Sequence, residues 1–85
     1  MEGHLSIWSG LLSGWRASYF ILHNDVLVYC TERGGAKEGA IHLKVASIAS
    51  ILDDPLRMCI HTGTNVLQLR APTVDSRIQW IRALN

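Results

Sequence analysis

Four histidines, at positions 4, 23, 42 and 61, are the side chains of this chain best suited to hold a metal ion or move a proton. Their interval of nineteen residues does not indicate a repeat, because the residues around them share no wider pattern. A zinc site usually combines two closely spaced pairs of histidine or cysteine ligands, and the four histidines and two cysteines do not form two such pairs. The sequence therefore predicts no metal site.

The other residues that could carry catalysis do not form a recognisable group either. Asp53 and Asp54 are adjacent carboxylates, but Pro55 follows them, and Asp-Asp-Pro is typical of a turn. Gly34-Gly35 is not followed by the Lys-Ser or Lys-Thr of a phosphate-binding loop. No motif combines a nucleophile, a base and a group that orients them. We therefore expect no catalytic residues, no cofactor and no enzymatic activity.

Leu11 and Leu12 indicate a different kind of chemistry, which is contact with a lipid bilayer. They stand between Ser9-Gly10 and Ser13-Gly14, in a run of small residues that joins two tryptophan-bearing segments. Small residues let a loop tip project without bulky support, and an exposed apolar tip beside a cation suits a membrane-docking surface. The pattern leaves open a second arrangement, in which both leucines fold back over an open end of the core.

The composition excludes several classes of protein. The 85 residues carry a formal charge of +1 and are 48% hydrophobic, which suits one small domain with one core. The eight Lys and Arg residues are scattered, so the basic stripe of a nucleic-acid-binding protein is missing and no nucleic-acid partner is expected. No apolar run approaches the roughly 20 residues of a spanning helix, and no secretory signal begins the chain. We therefore expect a cytoplasmic protein.

Turn residues divide most of the chain into short β-branched or aromatic runs at intervals of about ten residues, as in antiparallel barrels and sandwiches. The turn signals are Asn24-Asp25, Asp53-Asp54-Pro55 and Gly63-Thr64-Asn65, and a longer loop covers residues 32–38. The pattern predicts seven strands, over residues 3–8, 15–23, 26–31, 39–43, 48–52, 57–61 and 66–70.

After Pro72 the apolar residues recur at three- and four-residue spacings, which predicts an amphipathic helix beginning near Val74 and capped by Thr73. Its apolar stripe is predicted to contain Val74, Arg77, Ile78, Ile81 and Leu84, with Trp80 on the border. The expected fold is mainly β with one C-terminal α-helix, namely a seven-stranded, partly open antiparallel barrel capped by the helix. Because the chain stops at Asn85 without a helix stop signal, we expect residues 1–85 to be a single domain from the N-terminal part of a larger protein.

This order of seven strands and one tryptophan-bearing helix resembles that of pleckstrin homology (PH) domains over the whole chain. The N-terminal half is similar to the subgroup found in four-phosphate adaptor, oxysterol-binding and ceramide transfer proteins, which begins Glu-Gly-x-Leu-x-Lys-Trp and has a first loop ending in Gly-Trp. The residues that carry the resemblance are Glu2-Gly3-His4-Leu5-Ser6-Ile7-Trp8, Gly14-Trp15, Gly39-Ala40-Ile41 and Gln79-Trp80-Ile81.

The resemblance implies a module that targets a lipid-transfer or adaptor protein to the Golgi or another organelle membrane, as a peripheral protein that binds phosphatidylinositol 4-phosphate. It implies a membrane wedge formed by Trp8, Leu11 and Leu12. It also implies a headgroup pocket at the open end of the barrel, in which Arg16, Ser18 and His42 occupy family positions. Lys37 and Lys44 lie nearby but shifted, and strand alternation predicts that Lys44 shares a face with His42.

The pocket departs from the family pattern at two positions, because the first-strand lysine falls on Ile7 and the second-strand arginine on Ser18. Two missing cations cost about 2 kcal/mol of attraction to an anionic surface, at about 1 kcal/mol each. Burying two leucines contributes about 1.5 to 3 kcal/mol each. The sequence therefore predicts attenuated phosphoinositide binding supported by the wedge. The alternative is a PH-fold protein-interaction module, for example for a small GTPase, with little or no phosphoinositide recognition.

Overall fold

The computed structural model describes residues 1–51 and 53–85, and it confirms a mainly β fold with one C-terminal helix. Seven strands form one antiparallel sheet in the order β4-β3-β2-β1-β7-β6-β5. Because β4 and β5 are the two edges of that sheet, the barrel that it forms is partly open. The elements are β1 (Glu2–Trp8), β2 (Trp15–His23), β3 (Val26–Cys30), β4 (Lys37–His42), β5 (Ser47–Ser50), β6 (Arg57–His61), β7 (Val66–Arg70) and α1 (Val74–Leu84).

The sheet wraps around one apolar core, to which alternate residues of each strand contribute. On β1, Leu5 and Ile7 point inward, and their partners on β2 are Ser18 and Arg16. The inward row of β2 therefore runs from Phe20 through Ser18 to Arg16, where it reaches the end of the barrel that carries the β1–β2 loop. The buried core residues are Leu5, Ile7, Phe20, Leu27, Ile41, Met58, Ile60, Leu69, Ala71, Trp80 and Leu84.

The helix α1 begins where the sequence predicts, but its buried face is different. Thr73 caps it, since its hydroxyl oxygen accepts a hydrogen bond from the amide of Ser76 at 3.0 Å. Trp80 and Leu84 are its buried residues, whereas Val74 and Ile78 are exposed. The predicted stripe was therefore wrong at Val74 and Ile78 and correct at Leu84 and at Ile81, which packs against the core, and Trp80, predicted on its border, lies at the centre of the buried face. None of the helical segments described is long and apolar enough to cross a membrane.

The fourth and fifth strands differ most from the prediction. β4 begins two residues earlier than expected, at Lys37, and a 3-10 turn over Leu43–Val45 follows it. Lys44 therefore lies in a turn and does not share a strand face with His42. The predicted fifth strand is observed as Ser47–Ser50, and its predicted end at Leu52 lies outside the described residues.

Position 39 is one at which the packing of a neighbouring side chain requires a glycine. It pairs with Tyr29 on β3, and a Cβ atom at position 39 would lie 2.5 Å from the Tyr29 hydroxyl oxygen and 2.6 Å from Cζ. The Tyr29 ring is stacked on Phe20 at 5.3 Å, so it cannot move without disturbing the core. We expect Gly39→Ala to lower the free energy of unfolding by about 1 to 3 kcal/mol, measured by urea denaturation.

The matched control for this substitution is Gly3→Ala on β1. Its new Cβ would meet Trp80 at 3.7 Å, which is an ordinary van der Waals distance, so this variant should unfold close to the wild-type midpoint. If Gly39→Ala were as stable as Gly3→Ala, the Tyr29 ring would have room to move and the packing argument would be wrong.

Candidate functional site

The β1–β2 loop is a closed turn that presents two leucines to solvent. The amide of Ser9 donates to the carbonyl of Gly14, and the amide of Gly14 donates to the carbonyl of Gly10, both at 2.8 Å. The two glycines have φ angles of 102° and 63°, a left-handed conformation that other residues rarely adopt. Leu11 and Leu12 at the tip are 95% and 103% exposed. They do not fold back over the core, so their predicted exposure is confirmed.

Trp8 and Trp15 form the base of this loop. They are register partners at the ends of β1 and β2, and their rings meet edge to face with centroids 5.4 Å apart. Trp8 is 40% exposed, so part of its indole lies at the surface beside the leucines. The structure thus brings together the three residues predicted as a membrane wedge.

Arg16 is the predicted headgroup residue that lies nearest to this loop in the chain. Its side chain is 54% exposed at the open end of the barrel. One guanidinium nitrogen lies 2.6 Å from a carboxylate oxygen of Glu38 on β4, in a hydrogen-bonded ion pair. Arg16 is therefore neutralised by a neighbour before any anionic ligand arrives.

Ser18, two residues further along the inward face of β2, is not available at the surface. It is 1% exposed, and its Oγ has no hydrogen-bond partner within the described residues. Its backbone partner is Leu5, a residue of the core. The prediction that Ser18 contacts a headgroup does not fit this position, because strand alternation directs its side chain into the barrel.

The remaining predicted headgroup residues are spread along β4 and the turn after it. Lys37 is exposed next to Glu38, at the end of β4 nearer to Arg16. His42 pairs with Val26, and Val26 pairs with His23, so His42 lies about 23 Å along the strands from the row of Arg16. Lys44 lies 3.8 Å from the carboxylate of Asp25 in the β2–β3 turn. The structure does not bring His42 and Lys44 to Arg16.

On the outer face of the sheet, two arginines that were not predicted as site residues converge on Trp15. The guanidinium carbon of Arg70 lies 4.8 Å from the centroid of the indole, and that of Arg57 lies 5.4 Å from it. Arg57 and Arg70 are register partners on β6 and β7. The hairpin signal at Gly63-Thr64-Asn65 could have placed them opposite each other, but it could not have placed both at Trp15.

Tyr19 lies on the same outer face of β2 and has a perturbed pKa. Its hydroxyl donates a 2.6 Å hydrogen bond to a carboxylate oxygen of Glu2. This hydrogen bond raises the pKa of Tyr19 above its usual value, and burial and the negative charge of Glu2 act in the same direction. Tyr19 therefore stays protonated and holds Glu2, so its hydroxyl is not free for a ligand.

Comparisons with known proteins agree with this architecture. A family model described as PH domain matches residues 1–85. The human oxysterol-binding protein-related protein 9 is 30% identical over 90 residues, which cover 99% of this chain and 12% of that protein. The chain therefore spans only a small part of this curated relative.

Two solved structures have the same fold. The PH domain of human oxysterol-binding protein-related protein 11 has a TM-score of 0.88 at 24% identity, covering 99% of this chain and 75% of that chain. The C-terminal PH domain of pleckstrin, in complex with D-myo-Ins(1,2,3,5,6)P5, has a TM-score of 0.84 at 29% identity, covering 99% and 89%. PH domains are generally non-catalytic modules that bind lipids or target membranes. The family match over residues 1–85 and the similarity to these relatives show that this chain belongs to the PH domain family.

Proposed function

We propose that this PH domain binds phosphoinositide-bearing membranes of the phosphatidylinositol 4-phosphate type, with a leucine wedge that enters the bilayer and an attenuated headgroup pocket. In the full protein it would act as a peripheral targeting module for lipid transfer or for an adaptor, at the Golgi or another organelle. The observation that carries the proposal is the complete exposure of Leu11 and Leu12 on a closed loop.

The wedge supplies the larger part of the expected binding free energy. Two leucines that are fully exposed in water contribute about 1.5 to 3 kcal/mol each when they enter an apolar phase. Two backbone hydrogen bonds hold the loop in its projecting shape, so little ordering entropy is lost when it inserts. The half-exposed indole of Trp8 at the loop base suits the headgroup level of a membrane.

The ion pair between Arg16 and Glu38 supports the proposal that the headgroup pocket binds its ligand weakly. A phosphate that binds Arg16 must displace or tolerate a carboxylate 2.6 Å away. Ser18 offers no charge and lies inside the barrel. Relatedness to a PH domain solved with an inositol pentakisphosphate supports an inositol phosphate as the ligand class.

Sedimentation with vesicles tests the proposal. The domain is mixed with phosphatidylcholine vesicles, with vesicles that also contain phosphatidylserine, and with vesicles that contain phosphatidylinositol 4-phosphate at matched charge. We expect binding to both anionic compositions, with a preference of only a few-fold for the phosphoinositide. Failure to sediment with any of the three would contradict the membrane function.

Substitution of Glu38 is expected to strengthen headgroup binding. Glu38→Gln removes one negative charge at the mouth of the pocket and frees the guanidinium of Arg16. At about 1 kcal/mol for one charge near an anionic surface, affinity for phosphatidylinositol 4-phosphate vesicles should rise about fivefold. The gain should shrink at high salt, since both side chains are partly exposed.

Asp25→Asn is the matched control for Glu38→Gln. It makes the same change in net charge and also breaks an exposed ion pair, with Lys44, but in the turn between β2 and β3. Its affinity for the same vesicles should stay within about twofold of the wild type. If both variants gained equally, the effect would come from net charge and not from release of Arg16.

The protein-interaction alternative rests on the same ion pair. A pocket whose cation is already neutralised is also compatible with a domain that uses its surface for protein contact, such as with a small GTPase. This alternative predicts no sedimentation with any vesicle composition. It also predicts that Glu38→Gln leaves vesicle binding unchanged.

A further inference from the structure

We propose that the free edge of β4 binds an extended, acidic segment of a partner protein, which pairs antiparallel with Ala40 and His42 and places one apolar side chain in the cavity beside them. Within the ranges 1–51 and 53–85, β4 pairs with β3 alone, so one of its sides is an unpaired edge. Such an edge is a template for a further strand. His42 lies about 23 Å along the strands from the row of Arg16, so this surface is not the one used for the proposed membrane function.

The register of β3 and β4 determines which backbone groups face the free side. In an antiparallel ladder, hydrogen-bonded pairs alternate with pairs that are not hydrogen-bonded. The amide of Leu43 donates a 2.8 Å hydrogen bond to the carbonyl of Asp25, so these two residues form a hydrogen-bonded pair. His42 is one residue before Leu43 and Ala40 is three before it, so their pairs with β3 are of the other kind. The N–H and C=O groups of Ala40 and His42 therefore point away from β3, where a ligand can reach them.

The first half of β4 is protected against further pairing, whereas the second half is not. Natural sheet edges are protected by charged side chains and by bulges. Lys37 and Glu38 are charged, and the β3–β4 register shifts between Tyr29 and Cys30, at the same end of the strand. Ala40 is small, neutral and exposed, and the register is regular from there to the end of β4. The edge that a ligand can use is therefore confined to residues 40–42.

A cavity of about 340 Å³ adjoins this half of the edge. It exists because β5 begins at Ser47, which pairs with His61, so the tip of the β6–β7 hairpin extends past β5 and faces β4 directly. The amide of Thr62 donates a 2.8 Å hydrogen bond to the carbonyl of Asn65, which closes the tip as a turn. The far wall of the cavity is therefore a hydrogen-bonded hairpin.

The cavity suits one apolar side chain of an added strand. In an antiparallel strand on this edge, the central residue stands opposite Ile41, and its side chain points to the same face as that of Ile41. That face is the inside of the barrel, because Ile41 belongs to the core. Val45 and Leu67 supply further apolar surface to the cavity. The carboxamide of Asn65, which makes no hydrogen bond with the described residues, can bind the backbone of the segment.

The charges at this edge favour an acidic segment. Lys44 follows β4, its side chain is 81% exposed, and it lies 3.8 Å from the exposed carboxylate of Asp25. An exposed pair of this kind contributes little to stability, so Lys44 can turn to a carboxylate of a ligand. The carboxylate of Glu38 on β4 is held by Arg16 at 2.6 Å. An acidic residue near the His42 end of the edge is therefore the complement of this surface.

Hydrogen exchange of the free domain, followed by NMR, tests whether the edge is open. The amides of Ala40 and His42 should exchange at least tenfold faster than the amide of Ile41, which points to β3. Equal protection of the three amides would show that the edge is already covered, and it would overturn the proposal.

A phage-displayed library of random heptapeptides supplies the probe for binding. We expect the domain to select peptides with a central apolar residue and an acidic residue beside it. A selected peptide, once synthesised, should protect the amides of Ala40 and His42 from exchange. If no peptide is selected, or if a selected peptide leaves both amides unprotected, the proposal is wrong. Protection that develops when the domain alone is concentrated would assign a second copy of this chain to the edge and would also overturn it.

Ala40→Pro removes the edge donor without removing a hydrogen bond to β3, because the amide of Ala40 faces the free side. Gly39 stands before it, and a glycine has no Cβ to clash with the proline ring. Affinity for the selected peptide should fall at least tenfold, whereas Ala40→Thr, which keeps the amide, should stay within about twofold of the wild type. Thermal unfolding checks that both variants are folded. If Ala40→Pro is not, amide protection in the wild type decides, and equal affinity of two folded variants would overturn the pairing.

Substitution of Lys44 tests the charge of the segment. Lys44→Gln should lower affinity for the selected acidic peptide about threefold, whereas Arg82→Gln, which removes the same charge in the last turn of α1, should leave it unchanged. Equal losses in the two variants would show that net charge attracts the peptide, and they would overturn the assignment of an acidic segment to this edge.

Discussion

Replacement of Trp80 by alanine is expected to lower the free energy of unfolding by about 3 to 5 kcal/mol. The indole is 1% exposed, and its ring meets Phe20 edge to face with centroids 6.4 Å apart. It lies so close to β1 that a Cβ at Gly3 would touch it at 3.7 Å. Removing it leaves a large cavity between α1 and the barrel, which the surrounding strands cannot fill by small shifts.

Urea denaturation of the isolated domain measures this loss, and Ile78→Ala on the same helix is the control. Ile78 is 36% exposed, so its truncation should cost less than about 1 kcal/mol. An 85-residue domain has a total stability of only about 5 to 15 kcal/mol, so Trp80→Ala should unfold at a much lower urea concentration. Equal midpoints for the two variants would show that Trp80 does not anchor the helix.

The difference in the helix face shows what periodicity can and cannot determine. Residues at three- and four-residue spacings form overlapping stripes, and the chain has apolar side chains on two of them. One contains Val74 and Ile78, and the other contains Trp80 together with Leu84, a residue that the predicted stripe also included. Only the position of the barrel decides which stripe is buried. The stripe that packs against the barrel is the one with Trp80, the larger side chain, because its burial removes more apolar area from water.

Strand prediction was accurate where turn residues bound a strand closely and less so at the sheet edge. β2, β6 and β7 have the predicted limits, because turn signals stand on the chain beside each of them. β4 begins with Lys37, Glu38 and Gly39, which have low strand propensity, so its start was placed too late. An edge strand tolerates such residues because one of its sides has no partner strand.

For the site, the sequence predicted what is local and missed what depends on register. The exposed loop follows from adjacent residues, Ser9 to Gly14, and the prediction was confirmed. The ion pair of Arg16 with Glu38 and the stacking of Arg57 and Arg70 on Trp15 join residues from different strands. Their identities are visible in the chain, but their proximity requires the curvature and register of the whole barrel.

Substitution of both Leu11 and Leu12 by aspartate is expected to abolish vesicle binding without loss of stability. The change removes about 3 to 6 kcal/mol of insertion free energy, at about 1.5 to 3 kcal/mol for each leucine, so affinity should fall at least a hundredfold. Stability should be unchanged because both side chains are fully exposed and contribute nothing to the core. Sedimentation measures the binding, and thermal unfolding measures the stability.

Two controls separate insertion from charge repulsion in this experiment. The neutral double variant Leu11→Asn and Leu12→Asn adds no negative charge, and it should lose most of the binding if the leucines enter the apolar phase. Val45→Asp places a carboxylate at an apolar side chain that is 72% exposed in the turn after β4, and it should bind nearly as the wild type does. If the asparagine variant bound normally while the aspartate variant did not, the leucines would lie near the membrane surface without entering it, and the wedge would be wrong.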